Sequence, residues 1–375
     1  MAAILHEDGT RLWRQVVASK RHKSLVAWLL RSQAGSTHPA CLALASEPGA
    51  RSETCRLLLN EALSDDRRFT VGRPSWTPVR EASRMNANDA AAWRHRQLEV
   101  DDVAIHAVEG GTDTQPTVMF LHGWPTCWQS FERVMAALAA HAHVVAIDLP
   151  GIGGSPTLPA ASDKRTLAGY VRGAIAQLGL RHTTLVGHDV GGMIVYAFLH
   201  AWPGVLERAV IMNTAVPGVA PWHEVERNPH IWHFAFHAVP QLPEALVAGH
   251  QAEYFAFFFD SLSARPEGVD SQARNVYAAA YAQPQALHAG FEWYRAFGQD
   301  AQHNRDARGH QVETPVLYLR GEAERGIELR RYVDGLREGG LAHVHGGLVP
   351  ASGHFAPDEQ PEAVAAALRA FMAET

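Results

Sequence analysis

From residue 93 onward, short apolar runs alternate with stretches whose apolar residues recur every three or four positions. The runs at 117–121, 144–149, 184–187 and 209–213 read as strands, and residues 98–108 as a first hairpin. The spacing at 167–180 and 191–201 reads as helix, as does the stretch leading up to Ala140. Strands this apolar, alternating with amphipathic helices, imply a mainly parallel central sheet with helices on both faces, an α/β fold. Between 214 and 311 the pattern changes to helical, aromatic-rich sequence with no clear strand. Strand signals return at 315–319 and 344–349, and a last helix covers 361–372. The expected organisation is a core in two parts, 85–213 and 312–375, with a helical cap, 214–311, inserted between them.

Residues 1–84 depart from this pattern. They carry 13 Lys+Arg against 8 Asp+Glu, whereas the rest of the chain carries 20 against 31. One helix is expected near 11–31, followed by Gly, Ser, Pro and Thr punctuation. A poorly structured extension, an Arg-rich targeting peptide and a misassigned start are the competing accounts. The last is preferred, with Met85 as the alternative first residue, because a regular pattern begins soon after it; Glu7 and Asp8 weaken the targeting peptide. The formal net charge of −6 gives no reason to expect nucleic acid. Three cysteines, Cys41, Cys55 and Cys127, argue against a disulfide scaffold and for a reducing compartment, so a cytoplasmic location is expected. No apolar run reaches the roughly 18 residues that a membrane span requires. A monomer or homodimer is expected.

The strongest chemical signal is Leu185-Val186-Gly187-His188-Asp189-Val190-Gly191-Gly192. An apolar strand runs into a glycine-bracketed turn and then a helix. Such an elbow lifts its apex residue above the strand ends, beside the free N–H groups of a helix start. The apex here is Asp189. A carboxylate in that place attacks carbon and forms an ester on itself; the plainer alternative is a helix cap. No Gly-x-Ser-x-Gly occurs at the elbow, which excludes serine-esterase chemistry. Ser352-Gly353-His354-Phe355, between the last strand and the last helix, supplies a candidate base in His354. His122 reads as a brace for the Phe120-Leu121-His122-Gly123-Trp124-Pro125 loop, since no second histidine is spaced to bind metal with it. The glycine-rich turn at 148–155 lacks the Lys-Ser/Thr ending of a phosphate loop and reads as structural. No metal or cofactor is expected.

Through His122-Gly123-Trp124-Pro125, Gly187-His188-Asp189-Val190-Gly191-Gly192 and Gly353-His354-Phe355, residues 93–373 closely resemble the epoxide hydrolase and haloalkane/haloacetate dehalogenase branch of the α/β-hydrolase superfamily. The resemblance implies an α/β-hydrolase fold in which the backbone N–H groups of Trp124 and Val190 form an oxyanion hole. It implies that His354 activates water, oriented by Glu324, with Glu322 as the alternative acid. Asn213, at another position where relatives carry the acid, cannot ionise. In the cap, the likeness to a small bacterial group of epoxide hydrolases implies His233 and Tyr277 as donors to the epoxide oxygen. Tyr281, one turn later, could share that role, and Tyr254 and Tyr294 are left as packing residues. Trp232 and Phe234 are expected in an apolar substrate pocket.

The implied reaction opens a small apolar epoxide with water to a vicinal diol, through a hydroxyalkyl ester on Asp189. The alternative is a dehalogenase using the same aspartate. Where haloalkane dehalogenases carry a tryptophan after the nucleophile this chain has Val190. The two arginines of fluoroacetate dehalogenases are Val190 and Met193, and the tryptophan that follows their cap histidine is Phe234. A non-catalytic binding protein of the same fold is the remaining alternative, and the Asp189–His354 pair argues against it.

Overall fold

The computed structural model describes residues 93–112 and 116–374, so the expectations for residues 1–84 and Met85 lie outside the described residues. Strand β1 (Arg94–Val100) turns back into β2 (Val103–Gly110), and Val100 pairs directly with Val103. The two linking residues, Asp101 and Asp102, both have positive φ, 49° and 61°. A two-residue hairpin requires such conformations, and aspartate tolerates them. The remaining strands are β3 (Thr117–Leu121), β4 (His143–Ile147), β5 (Thr183–His188), β6 (Arg208–Met212), β7 (Val316–Gly321) and β8 (Val344–Val349). They form one sheet in the order β1-β2-β4-β3-β5-β6-β7-β8. β2 is antiparallel to β4, and every pair from β4 to β8 is parallel.

Helix α1 (Glu132–Leu138) links β3 to β4, α2 (Lys164–Gln177) links β4 to β5, and α3 (Val190–Ala201) links β5 to β6. Between β6 and β7 the described chain is helical: α4 (Trp222–Glu226), α5 (Trp232–Ala238), α6 (Leu242–Val247), α7 (Gln251–Leu262), α8 (Ser271–Ala280), α9 (Pro284–Arg295) and α10 (Phe297–Ala307), with short 3₁₀ turns. After β7 come α11 (Leu329–Glu338), and after β8 the short α12 (Ala356–Glu359) and α13 (Pro361–Ala373). The helix expected to reach Ala140 begins only at Glu132, after a 3₁₀ turn at Trp128–Phe131.

Successive strand residues point to opposite faces, so a strand apolar at every position needs cover on both sides. Met119 and Leu121 of β3 and Leu185 of β5 join a core with Ile194 and Phe198 of α3. Val118, Phe120 and Val186 join a second core with Phe131 and Phe371. Helix α3 is buried from Val190 to Leu199, which explains why its sequence is apolar all round. Two parallel strands meeting at their C-terminal ends, β3 and β5, bring the Gly123-Trp124 loop and the Asp189 turn together. No helix among the described residues is long and apolar enough to cross a membrane.

Candidate active site

Asp189 sits between β5 and α3 with φ 52° and ψ −119°, a conformation that strains any residue with a side chain. Its neighbours must be small for it to fit there. A Cβ on Gly187 would lie 2.2 Å from the Gly191 carbonyl oxygen, and one on Gly123 would lie 2.4 Å from the Asp189 Cβ. In return, the Trp124 N–H donates to Asp189 Oδ1 at 2.9 Å, and the Val190 N–H also bonds the carboxylate. Burial nevertheless dominates and raises the Asp189 pKa above its ordinary value; the charge of His354 and the two N–H groups oppose it.

The loop beneath is braced as its sequence suggests. His122 Nε2 accepts from the Leu149 N–H at 3.0 Å, and its Nδ1 donates to the Gly123 carbonyl at 2.9 Å. Asp148 ties the glycine-rich turn to the loop, accepting from the Gly154 N–H at 2.8 Å and the Trp128 N–H at 3.0 Å.

His354 follows β8. Its Nδ1 donates to Glu324 Oε1 at 3.2 Å, because an ionised carboxylate can only accept. Its Nε2 is turned towards Asp189, 3.8 Å from Oδ2. Burial works to lower the His354 pKa, but the hydrogen bond to Glu324 and the charges of Asp189 and Glu324 outweigh it and raise it. Glu324 is itself held from behind: Arg320 Nε donates to its other oxygen at 2.8 Å. Burial pushes the Glu324 pKa up, and the bond with His354 and the charges of His354 and Arg320 bring it below the ordinary value. Glu322, the other candidate acid, is exposed and accepts from the Ala351 N–H. Asn213 donates to the Gly353 carbonyl at 3.2 Å, steadying the loop before His354. His188, next to Asp189, donates through Nε2 to the His354 carbonyl at 2.7 Å. Burial lowers its pKa to about 3, so it is a neutral support.

The cap corrects one expectation. His233, on α5, lies over the site, its ring stacked 6.4 Å from Trp124. Burial first, and then the charge of His354, lower its pKa to about 3, so its imidazole is neutral. Tyr277 is not its partner. The Tyr277 hydroxyl is fully buried and donates to Asp358 Oδ1 at 2.7 Å, with its ring against Phe259. Tyr281 is also committed, donating to the Thr126 carbonyl at 3.1 Å behind the Trp124 loop. The tyrosine beside His233 is Tyr294 on α9, 6.0 Å from the His233 ring and 5.9 Å from Trp124. Burial, then the charge of Asp189, hold its pKa well above the ordinary value. Tyr254, expected like Tyr294 to be a packing residue, pairs its hydroxyl with His237 Nε2 at 2.7 Å.

Aromatic side chains surround His233 and Trp124. Phe234 lies 4.9 Å from His233, and Phe258 lies 5.1 Å from His233 and 4.9 Å from Trp124. Trp232 packs on Phe258 at 5.9 Å and is 42% exposed, which leads the aromatic surface outwards from the site.

Comparison with known proteins agrees with this architecture. The model of the alpha/beta hydrolase fold family matches residues 116–361. The soluble epoxide hydrolase of Corynebacterium sp. (strain C12) is 29% identical over 276 residues, 72% of this chain and 94% of that protein. A fluoroacetate dehalogenase of Burkholderia sp. is 30% identical over 295 residues, 75% of this chain and 94% of that protein. The crystal structure of wild-type Cfl2 from Burkholderia cenocepacia is 32% identical, covers 75% of this chain and 96% of its own, and has a TM-score of 0.69.

Proposed function

This chain belongs to the alpha/beta hydrolase fold family, and we propose that within it the protein hydrolyses epoxides to vicinal diols through an ester on Asp189. The observation that carries the reading is the division of the Asp189 carboxylate: Oδ1 rests on the Trp124 N–H while Oδ2 faces His354 across 3.8 Å. Attack by Oδ2 on the less hindered epoxide carbon leaves Oδ1 as the ester carbonyl oxygen, already seated on the N–H groups that stabilise an oxyanion.

Ring opening releases an alkoxide, a strong base that needs a neutral donor. His233 and Tyr294 supply an imidazole N–H and a phenol on the cap side, and Tyr294 replaces the Tyr277 expected from sequence. In the second step His354 removes a proton from water, and the water attacks the Asp189 carbonyl carbon. The tetrahedral intermediate collapses by expelling the ester alkoxide, which takes its proton from His354. The water's second proton leaves the new carboxylic acid and restores the cap donor that protonated the first oxygen, so a vicinal diol departs and Asp189 is again a carboxylate. Esterification removes the Asp189 charge, one of the influences that raise the His354 pKa. The imidazole is then more fully neutral when it must act as base. The aromatic lining, with Trp232 and Phe234, suits an apolar substrate.

The fluoroacetate dehalogenase relative keeps a halide-releasing reaction in view. A small carboxylate substrate requires cations beside the nucleophile, and the first turn of α3 offers Val190 and Met193, both buried and apolar. The test is a product assay with styrene oxide, fluoroacetate and a chloroalkane in parallel. Diol from styrene oxide, with no halide from the other two, is expected. Halide without diol would reject the epoxide reading.

A further inference from the structure

Glu359 stands five residues beyond His354, at the end of α12, and is 4% exposed. Four backbone N–H groups from two separate segments converge on its carboxylate. Gly353 and Phe355, which flank His354, donate at 3.0 and 3.1 Å. Ala264 and Arg265, just past the end of α7, each donate at 2.8 Å. An ionised carboxylate offers about four acceptor sites, so these backbone donors account for its capacity. The two segments also meet directly, since the His354 N–H donates to the Leu262 carbonyl at 2.9 Å. They approach so closely that a Cβ on Gly353 would lie 2.3 Å from that carbonyl oxygen. The loop carrying His354 is thereby fastened to the helix that carries Phe258, which packs on His233.

We propose that Glu359 is a positioning residue that holds the His354 loop in register with the cap, so that base and cap donors address the same ester. The inference rests on the reaction proposed above and assigns Glu359 to one of its halves. Ester formation uses Asp189, His233 and Tyr294. Ester hydrolysis alone requires the His354 imidazole to be correctly placed for water. A glutamine at 359 keeps the volume but puts an NH₂ where N–H groups already point, so the loop must shift.

The expected result for Glu359→Gln with styrene oxide is accumulation of the ester. Its formation stays near the wild-type rate, while hydrolysis falls on the order of 100-fold, the loss that a displacement of about 1 Å can cause. Rapid-quench mass spectrometry of the intact protein reads both rates, and near-UV circular dichroism checks the fold. Glu359→Asp keeps the carboxylate on a shorter stem; it should show a smaller hydrolysis defect, and it carries the same test if Glu359→Gln does not fold. Equal losses in both steps, or an unchanged hydrolysis rate, overturn the inference, because a merely structural role moves both steps together. Ester trapped in His354→Gln but none accumulating in the Glu359 variants overturns it alone. No ester in His354→Gln overturns the proposed reaction itself.

Discussion

In the proposed reaction Asp189 meets two opposed demands: it must ionise to attack, and it must be dry enough for its charge to be reactive. Burial raises its pKa, and the N–H groups of Trp124 and Val190 together with His354 hold the carboxylate against that effect. The same economy appears in the cap, where donors have to be neutral. Burial lowers the His233 pKa and raises that of Tyr294, so in the proposed reaction each has a hydrogen to offer an opening epoxide oxygen. The two candidate tyrosines therefore part company on mutation. Tyr294→Phe should slow ester formation on the order of 100-fold, the usual cost of losing one such donor, with the fold intact. Tyr277→Phe leaves the buried Asp358 without its donor and should lower unfolding free energy by about 1–3 kcal/mol, with ester formation close to wild type. Single-turnover rates and urea unfolding of both variants check this, and the reverse assignment of effects would return Tyr277 to the site.

Which tyrosine stands beside His233 was not legible in the sequence, for a reason that belongs to packing. Tyr254, Tyr277, Tyr281 and Tyr294 all lie in helical, aromatic-rich sequence, and each has a helical face for neighbours. Only the docking of α8 against α12 and of α9 against α5 decides that Tyr277 meets Asp358 and Tyr294 meets His233. Glu359 was equally silent, because its partners are backbone N–H groups with no residue signature of their own. The elbow, by contrast, was written in the glycines at 187 and 191, whose places a Cβ would overlap. Glu324 was legible from its spacing past Gly321, and its carboxylate is the one that reaches His354.

Elements are joined here by a buried ion pair as well as by apolar packing. Lys164, at the start of α2, reaches Asp300 on α10 at 2.7 Å and the Trp293 carbonyl on α9 at 2.6 Å, with both charged side chains almost wholly buried. Removing one partner strands the other charge, so Lys164→Met should cost about 3–5 kcal/mol in urea unfolding. A double variant that also replaces Asp300 by leucine should recover much of that loss. A loss below about 1 kcal/mol in the single variant, typical of surface pairs, would contradict the tie between α2 and the helices preceding β7.

At the scale of the molecule, the inner strands were legible because a sheet covered on both faces buries nearly every strand position, whereas the edge strands β1 and β8 are largely exposed. The order of strands was less so, since pairing depends on crossovers that leave no local trace. Helix α11 went unread although Leu329, Tyr332, Val333 and Leu336 repeat with helical spacing; its surrounding charges obscured a narrow apolar stripe. The fold brings Asp189 from the middle of the sheet, His354 from beyond its last strand and His233 and Tyr294 from the inserted helices to one region, where the proposed reaction has the aspartate face an epoxide carbon, the two cap groups its oxygen and the histidine the attacking water. The most direct measurement is intact-protein and peptide mass spectrometry of His354→Gln after exposure to styrene oxide. The account predicts a persistent adduct equal in mass to protein plus epoxide, located on the peptide bearing Asp189 and abolished by adding Asp189→Asn. Diol production by wild-type protein with no such adduct, or an adduct on another residue, would contradict it.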